Sequence, residues 1–365
     1  MGLVKYIDRQ NKFIEIFNNT TGFYLRSGVM ENGVDTGIDP FMRNFPQLID
    51  IGIMGGCTHG SSGLCIKSGI QCYQNGLKVQ KPNMSLECFK KIVDQCKGRT
   101  FQFALGGRGD VDQHEECEAI LRYCRANGIV PNFTTSGLGL TSELVQMLEK
   151  YVGAIAVSWY RAEHTYTALE MLINAEIKTN IHYVLGKNTI NEAIERLTNN
   201  SFAEGINAII FLMHKPVGMG SHENVLDASD PRVKQFFEII DSHHFDFKIG
   251  FDSCSCPGIL NFTENINLDS IDYCEGGRYS CYIDAQMNMM PCSFANDDHG
   301  WFVNLNEHSI HDAWNSAVFE RFRYSLKHSC SDCNDRLLCG GGCPIPKVNC
   351  ITLCNRTERD FVCPK

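Results

Sequence analysis

Residues 48–73 read LIDIGIMGGCTHGSSGLCIKSGIQCY, a strand-length apolar run followed directly by a glycine-rich segment with three cysteines. The run at 48–53 is apolar almost throughout, which is typical of a parallel strand buried on both faces. Cys57, Cys65 and Cys72 follow it with C-x7-C-x6-C spacing. Because glycines let the segment curl, three thiolates can converge on a [4Fe–4S] cluster and leave one iron open. A structural zinc ion with His59 as its fourth ligand is the alternative.

The strand at 48–53 begins a regular alternation of strand-like and helix-like segments. Five further strand-like runs lie at 100–105, 129–133, 153–158, 179–185 and 206–212. Stripes of apolar residues at i, i+3, i+4 and i+7 lie between them and predict helices. Six β–α units in a row predict an α/β fold with a parallel sheet, either an open doubly wound sheet or a full or partial barrel. Functional groups then belong at the carboxyl ends of the strands.

Composition excludes several classes of protein. With 43% hydrophobic and 21% charged residues, the chain is neither disordered nor membrane-spanning, since no apolar run approaches the roughly 20 residues of a bilayer helix. The 33 basic and 42 acidic side chains give a net charge of −9, which argues against broad binding of nucleic acid. The first ten residues lack the apolar core and cleavage site of a signal peptide, so we expect a cytoplasmic protein.

The 19 cysteines are an odd number in a long chain without a signal peptide, which favours metal binding over disulfides. Seven lie between Cys57 and Cys124, none at 125–253, and twelve between Cys254 and Cys363. Together with the β–α alternation, this distribution predicts a parallel β/α region at 48–250 and a small metal-binding region at 251–365. The glycines at 22, 28, 33 and 37 predict a turn-rich N-terminal extension at 1–47. Four cysteines on or beside helical stripes are predicted to be core residues, namely Cys88, Cys96, Cys117 and Cys124.

The strongest metal-binding motif is the C-x2-C-x5-C-x3-C string that runs from Cys330 to Cys343. The residues between these cysteines are mostly loop formers, so core packing does not explain the pattern. A zinc ribbon is the alternative to iron–sulfur clusters. Upstream, Cys274 and Cys281 are followed by a hairpin-like segment that ends in Pro291-Cys292.

The three-cysteine loop, together with Gly106-Gly107 at the end of the second strand, resembles the radical S-adenosylmethionine (radical SAM) superfamily. The resemblance implies a partial (β/α)6 barrel in which the glycine pair holds the SAM amino group. It also implies that Ser158 and Asn180, on the fourth and fifth strands, contact the ribose and carboxylate of SAM. The chain departs from the usual C-x3-C-x2-C spacing of this family, and Arg108 stands where an acidic residue is usual.

The C-terminal cysteines resemble the SPASM extension of radical SAM maturases, which binds two auxiliary [4Fe–4S] clusters. The resemblance assigns Cys274, Cys281, Cys292 and Cys343 to the first auxiliary cluster. It assigns Cys330, Cys333, Cys339 and Cys363 to the second, with Cys350 and Cys354 as alternatives to Cys363. Cys254 and Cys256 have no assignment, and either could displace Cys274.

The resemblance implies an oxidoreductase with SAM and three [4Fe–4S] clusters. Such an enzyme generates a 5′-deoxyadenosyl radical and crosslinks or oxidises a ribosomally made peptide. A flavodoxin- or ferredoxin-type donor would supply electrons, and a separate protein or direct docking would present the peptide leader. Two alternatives stay open: a maturase of the anaerobic sulfatase type, which oxidises one side chain of a protein, and a non-catalytic zinc or iron–sulfur scaffold.

Overall fold

The computed structural model describes residues 2–59, 63–295, 300–345, 348 and 351–354. The N-terminal region forms a three-stranded antiparallel sheet of β1 (Leu3–Asp8), β2 (Phe13–Asn18) and β3 (Tyr24–Arg26). A small hairpin of β4 (Met30–Glu31) and β5 (Val34–Asp35) follows it. The sheet is attached to the rest of the chain by the buried ion pair of Glu15 and Arg43, whose Oε2 and Nε atoms are 2.7 Å apart. The sequence analysis predicted only turns here.

A second sheet of ten strands dominates the molecule, in the order β12-β11-β10-β9-β8-β7-β6-β13-β14-β15. The eight strands from β12 to β13 pair in parallel, and β14 and β15 extend the sheet antiparallel. The strands are β6 (Leu48–Met54), β7 (Gln102–Gly107), β8 (Val130–Thr135), β9 (Ile155–Ser158), β10 (Thr179–Leu185), β11 (Ala208–Met213), β12 (Lys248–Phe251), β13 (Ser280–Ile283), β14 (Asn288–Met290) and β15 (Val303–Asn304).

Helices alternate with the parallel strands, and further helices follow β15. They are α1 (Leu64–Lys67), α2 (Leu86–Cys96), α3 (Cys117–Ala126), α4 (Ser142–Glu149), α5 (Glu163–Asn174), α6 (Ile190–Thr198), α7 (Pro231–Ser242), α8 (Cys256–Phe262), α9 (Ile310–Trp314), α10 (Ala317–His328) and α11 (Arg336–Cys339). Side-chain caps fix several starts: Ser85 accepts a hydrogen bond from Cys88 N, and Thr141 accepts one from Leu144 N.

The predicted helical stripes form the apolar core between the helices and the sheet. On α2 the buried residues are the four that the spacing predicts, Phe89, Ile92, Val93 and Cys96. On α3 they are Cys117, Ile120, Leu121 and Cys124. The parallel α/β fold class is confirmed.

The sheet continues past residue 250 into the cysteine-rich region. β12 is a seventh strand of the alternation that the sequence analysis did not predict, and β13 pairs in parallel with β6, with Ser280 aligned to Leu48. The C-terminal region is therefore joined to β6, the first strand of the parallel alternation, by backbone hydrogen bonds. In the described part of the chain, every helix is too short or too polar to cross a membrane.

Candidate functional site

The three cysteines that follow β6 lie together at the carboxyl end of the parallel strands. Cys65 is carried by the one-turn helix α1, which begins after Gly63 in the left-handed conformation with φ of 65°. Burial raises the pKa of the Cys65 thiol, and the nearby thiols of Cys72 and Cys57 raise it further. Cys57, Cys65 and Cys72 line one pocket at this edge of the sheet, and their role as cluster ligands stays a prediction.

Gly76 leaves space beside two of these thiols. A Cβ placed on Gly76 would lie 3.0 Å from Cys57 Cβ and 3.6 Å from Cys72 Sγ. Any larger residue would crowd the position between the two cysteines. Gly76 therefore lets the backbone pass close to both cysteines.

His59, the alternative zinc ligand, is held by a carboxylate in this arrangement. Its Nε2 atom lies 2.8 Å from Asp110 Oδ2, and Ser136 Oγ donates a hydrogen bond to the same carboxylate. Ser136 N donates to Asp110 Oδ1 at 2.9 Å, so Asp110 ties the cysteine loop to the loop that follows β8. The hydrogen bond to Asp110 raises the pKa of His59.

A zinc ion needs four ligands about 2.0–2.3 Å away, which therefore lie within about 4 Å of one another. Among the residues that the structure describes, no three His, Cys, Asp or Glu side chains gather closely enough to hold a single metal ion. The choice between a zinc ion and a cluster at the three cysteines stays a prediction.

Gly106 and Gly107 end β7 beside the cysteine loop, in register with Gly52 and Met54 of β6. Gly107 has φ of +120°, and a Cβ on it would come within 2.5 Å of Met54 O, so this position requires glycine. A Cβ on Gly106, by contrast, would meet no atom within 4 Å. The backbone at Gly106 is therefore open to a ligand. Arg108 Nε is buried without a hydrogen-bond partner among the described residues.

The two predicted SAM contacts lie on neighbouring parallel strands. Ser158 is the last residue of β9 and is aligned with His182 of β10. Asn180 is aligned with Ala156, two residues before Ser158, and its Oδ1 accepts a hydrogen bond of 2.7 Å from Asn207 Nδ2. The contact of either residue with SAM stays a prediction.

A second group of thiols comprises Cys254, Cys274, Cys292 and Cys343. Burial raises the pKa of Cys343 well above its ordinary value, and the thiols of Cys254, Cys274 and Cys292 raise it further. Burial likewise raises the pKa of Cys292 to about 12, with a contribution from Cys254. The structure therefore places Cys254 in the position that the sequence analysis gave to Cys281.

Cys281 lies outside this group of thiols. It is buried in β13, in register with Ile49 of β6, and its electrostatic neighbours are Cys96, Asp50 and Arg323. Successive residues of a strand face opposite sides of a sheet. Cys281 faces the helices, whereas Tyr282 packs in the same apolar cluster as Cys343.

A third group forms around Cys339 at the end of α11. Burial raises the pKa of Cys339 to about 11, and the thiols of Cys354, Cys330 and Cys333 raise it further. Cys354 is thus the fourth member among the described residues, whereas Cys350 and Cys363 lie outside them. Burial raises the pKa of Cys256, and the thiols of Cys339 and Cys254 raise it further. Cys339 belongs to the third group and Cys254 to the second, so Cys256 lies near both.

Three glycines divide the C-x2-C-x5-C-x3-C string between the two groups. Gly340, Gly341 and Gly342 all have positive φ, at 65°, 73° and 91°. A Cβ on Gly340 would lie 2.2 Å from Tyr273 Cδ2, so a side chain cannot fit there. The glycine turn directs Cys343 away from Cys339, which explains how four cysteines so close in sequence serve two groups.

Sequence reasoning placed Tyr160 at a strand end beside the site but chose Ser158 as the site residue; in the structure Tyr160 Oη lies 3.3 Å from Cys65 Sγ. The available signal was the Trp159-Tyr160 pair directly after a predicted strand. The Asp110–His59–Ser136 contacts were missed, although Asp110 and Ser136 both follow predicted strands.

Residues 274–334 match the SPASM family, which is described as an iron–sulfur cluster-binding domain. Together with the parallel sheet and the cysteine groups, this match confirms the predicted resemblance to radical SAM enzymes with a SPASM domain. No curated protein matches the chain.

Solved structures share the fold at low identity. SuiB of Streptococcus suis bound to S-adenosylmethionine is 13% identical, with a TM-score of 0.70 over 97% of this chain and 99% of that chain. SuiB bound to its precursor peptide SuiA gives 13% and 0.69 over 97% and 98%. The tagged enzyme anSMEcpe with bound AdoMet is 15% identical, with a TM-score of 0.59 over 87% of this chain and 90% of that chain.

Proposed function

We propose that this chain is a radical SAM peptide maturase, an oxidoreductase that crosslinks or oxidises a ribosomally made peptide. The observation that carries the proposal is the gathering of Cys57, Cys65 and Cys72 at the carboxyl edge of the sheet, beside the open backbone of Gly106. The SPASM match supports iron–sulfur clusters in the C-terminal region. A site in the reducing cytoplasm, where thiols stay available for metal, is part of the proposal.

In this proposal Cys57, Cys65 and Cys72 hold the first [4Fe–4S] cluster, and the iron without a protein ligand is open to SAM. Gly106, Gly107 and Ser158 surround the SAM position. When bound, the cluster and SAM together supply an electron and a carbon radical that removes hydrogen from the substrate. The binding of SAM by SuiB and anSMEcpe, which share the fold, supports this assignment.

Two auxiliary [4Fe–4S] clusters complete the proposed cofactor set. Cys254, Cys274, Cys292 and Cys343 hold the first, with Cys254 in place of Cys281. Cys330, Cys333, Cys339 and Cys354 hold the second, and Cys363 and Cys350 remain alternatives to Cys354. The thiol neighbours within each group support these assignments.

The interior face of the sheet is suited to a substrate that must be kept from water. Asp50 of β6 is aligned with Tyr282 of β13, and His182 of β10 is hydrogen-bonded to Thr134 of β8 at 3.2 Å. Burial raises the pKa of Asp50 to about 7 and lowers the pKa of His182 to about 4. His182 is therefore neutral at neutral pH, and Asp50 is largely protonated below about pH 7.

A peptide substrate is favoured by charge and by the solved structures. The net charge of −9 would repel a polyanion such as tRNA at long range. SuiB has been solved with the precursor peptide SuiA, and anSMEcpe with the Kp18Cys peptide. A flavodoxin- or ferredoxin-type donor and, where needed, a separate leader-binding protein are the remaining proposed partners.

The experiment is anaerobic incubation of the iron-loaded chain with SAM, a reductant and candidate precursor peptides, beginning with those encoded near its gene. Each new crosslink should lower the peptide mass by about two hydrogens, because oxidative bond formation removes two. Turnover on a tRNA or a free metabolite with an unchanged peptide would contradict the proposal.

Oxidation of a single side chain, as in a sulfatase-type maturase, is the second candidate, since anSMEcpe shares the fold. Tandem mass spectrometry separates the two. A crosslink suppresses backbone fragments between the joined residues, whereas oxidation at one residue leaves the fragment series complete. A non-catalytic scaffold would produce no change in the peptide and no cleavage of SAM.

A further inference from the structure

The two residues that follow β9 contact the segment that carries Cys65. Tyr160 Oη lies 3.3 Å from Cys65 Sγ. Ser68, which ends α1, donates a hydrogen bond from Oγ to Tyr160 O at 2.8 Å. Arg161 Nη1 donates to Ser68 O at 2.9 Å. The dipeptide thus contacts both ends of the one-turn helix that presents Cys65.

This dipeptide is itself held in place by α6. Arg161 has φ of +61°, which is uncommon for a residue with a side chain and persists only where the surroundings fix it. Its guanidinium pairs with the carboxylate of Glu192 on α6. Glu192 also accepts hydrogen bonds from Trp159 Nε1 at 3.1 Å and Arg196 Nε at 2.8 Å. The position of Tyr160 is therefore set by the scaffold, independently of the loop.

The chemistry of the contact depends on which atom carries the proton. In the structure either the thiol or the hydroxyl can donate. A cysteine that binds iron is a thiolate and has no proton, whereas tyrosine keeps its proton at neutral pH. The hydroxyl must then donate to the sulfur. Hydrogen bonds to cluster sulfurs help to set the reduction potential, since they stabilise the more negative, reduced state.

We infer that Tyr160 donates a hydrogen bond to the Cys65 thiolate, and that Tyr160 and Arg161 act as positioning residues for the long C-x7-C-x6-C loop. The inference rests on the proposed function, in which Cys65 is a cluster ligand. A loop of this length loses more conformational freedom on ordering than a short one, and contacts to a fixed strand end offset that cost. Tyr160 and Arg161 supply such contacts at Cys65 and at Ser68.

The test compares the reconstituted parent with Tyr160→Phe. Tyr123→Phe is the matched control, because Tyr123 on α3 donates a hydrogen bond of 2.8 Å to Asp94 and none to the loop. Iron content, the midpoint potential of the EPR signal that SAM perturbs, and exchangeable-proton couplings in H₂O and D₂O are measured. We expect Tyr160→Phe to shift that potential to a more negative value and to lose one exchangeable-proton coupling. Tyr123→Phe should match the parent in both.

Arg161→Gln tests the positioning role, since it removes both the pairing to Glu192 and the donor to Ser68 O. We expect a chelator to extract iron from this variant several-fold faster than from the parent. Loss of the SAM-perturbed cluster from Tyr160→Phe but not from Tyr123→Phe would also support positioning. The inference is overturned if Tyr160→Phe keeps the parent's potential and proton couplings. A parent without a SAM-perturbed signal would instead contradict the proposed function.

Discussion

Cys281 of β13 and Cys96 of α2 are neighbours in the apolar core, and each is at most 2% exposed. The alternation of a strand puts Cys281 on the helix side of the sheet and Tyr282 on the other side, where Cys343 packs. Cys281 and Tyr282 are adjacent in sequence but face opposite sides of the sheet. A shift of one residue along the strand would therefore change which residue lies near Cys343. In the proposed assignment Cys281 is therefore a packing residue, and Cys254 takes its place among the thiols.

The first prediction compares Cys254→Ala with Cys281→Ala. Cys254→Ala should lose the iron of one auxiliary cluster, because a thiolate ligand is removed. Cys281→Ala should keep its iron and be destabilised by about 1–2 kcal/mol, the cost of deleting a buried sulfur. Iron analysis and denaturant unfolding measure the two effects. Full iron in Cys254→Ala with a deficit in Cys281→Ala would restore the original assignment.

The second prediction concerns the last ligand of the second auxiliary cluster. Cys354→Ala and Cys333→Ala should each lose auxiliary iron and product formation. Both should retain some reductive cleavage of SAM, because the proposed SAM-binding cluster of Cys57, Cys65 and Cys72 is separate. Cys363→Ala should behave as the parent if Cys354 is the ligand. The opposite result for Cys354 and Cys363 would assign the ligand to Cys363.

The third prediction tests the cysteines of α3. Cys117 and Cys124 are buried in the helix layer, so Cys117→Ala and Cys124→Ala should each cost about 1–2 kcal/mol of unfolding free energy. Their iron content should equal that of the parent. If either variant loses one cluster's worth of iron, the division of cysteines into packing residues and ligands is wrong.

The fourth prediction concerns pH. Burial, and then Glu275, raise the pKa of Asp50 from 3.8 to about 7, so the folded protein keeps a proton that the unfolded chain loses. Stability from this group is complete below pH 3.8 and falls as the pH rises towards 7. Asp50→Asn cannot titrate, so its unfolding free energy relative to the parent should increase between about pH 4 and 7. A constant difference across this range would show that Asp50 titrates normally.

Periodicity carried most of the fold prediction, because the stripes of α2 and α3 identify the buried residues one by one. The N-terminal sheet was missed even though Phe13, Glu15 and Phe17 alternate with half-buried residues in β2. The burial of Glu15 depends on Arg43, a partner distant in sequence. Local pattern cannot reveal such a pairing.

The candidate site could be predicted where its residues share a short sequence motif. It could not be predicted where the position of a residue depends on which side of a strand it faces or on where the strand ends. The loop of Cys57, Cys65 and Cys72 needed only spacing and a preceding strand. For Ser158 and Asn180, an apolar run does not show which of its residues lies at the carboxyl edge of the sheet. Cys254 was left unassigned because nothing in its sequence neighbourhood indicates that it meets Cys343.

The central claim is that Cys57, Cys65 and Cys72 hold a cluster that cleaves SAM. The most direct measurement is the 5′-deoxyadenosine formed by the anaerobically reconstituted chain, with about twelve irons for three clusters, after addition of SAM and a reductant. We expect the parent to form it and Cys65→Ala to form none. Equal rates in the parent and Cys65→Ala would contradict the claim, as would zinc with negligible iron in a parent that leaves SAM intact.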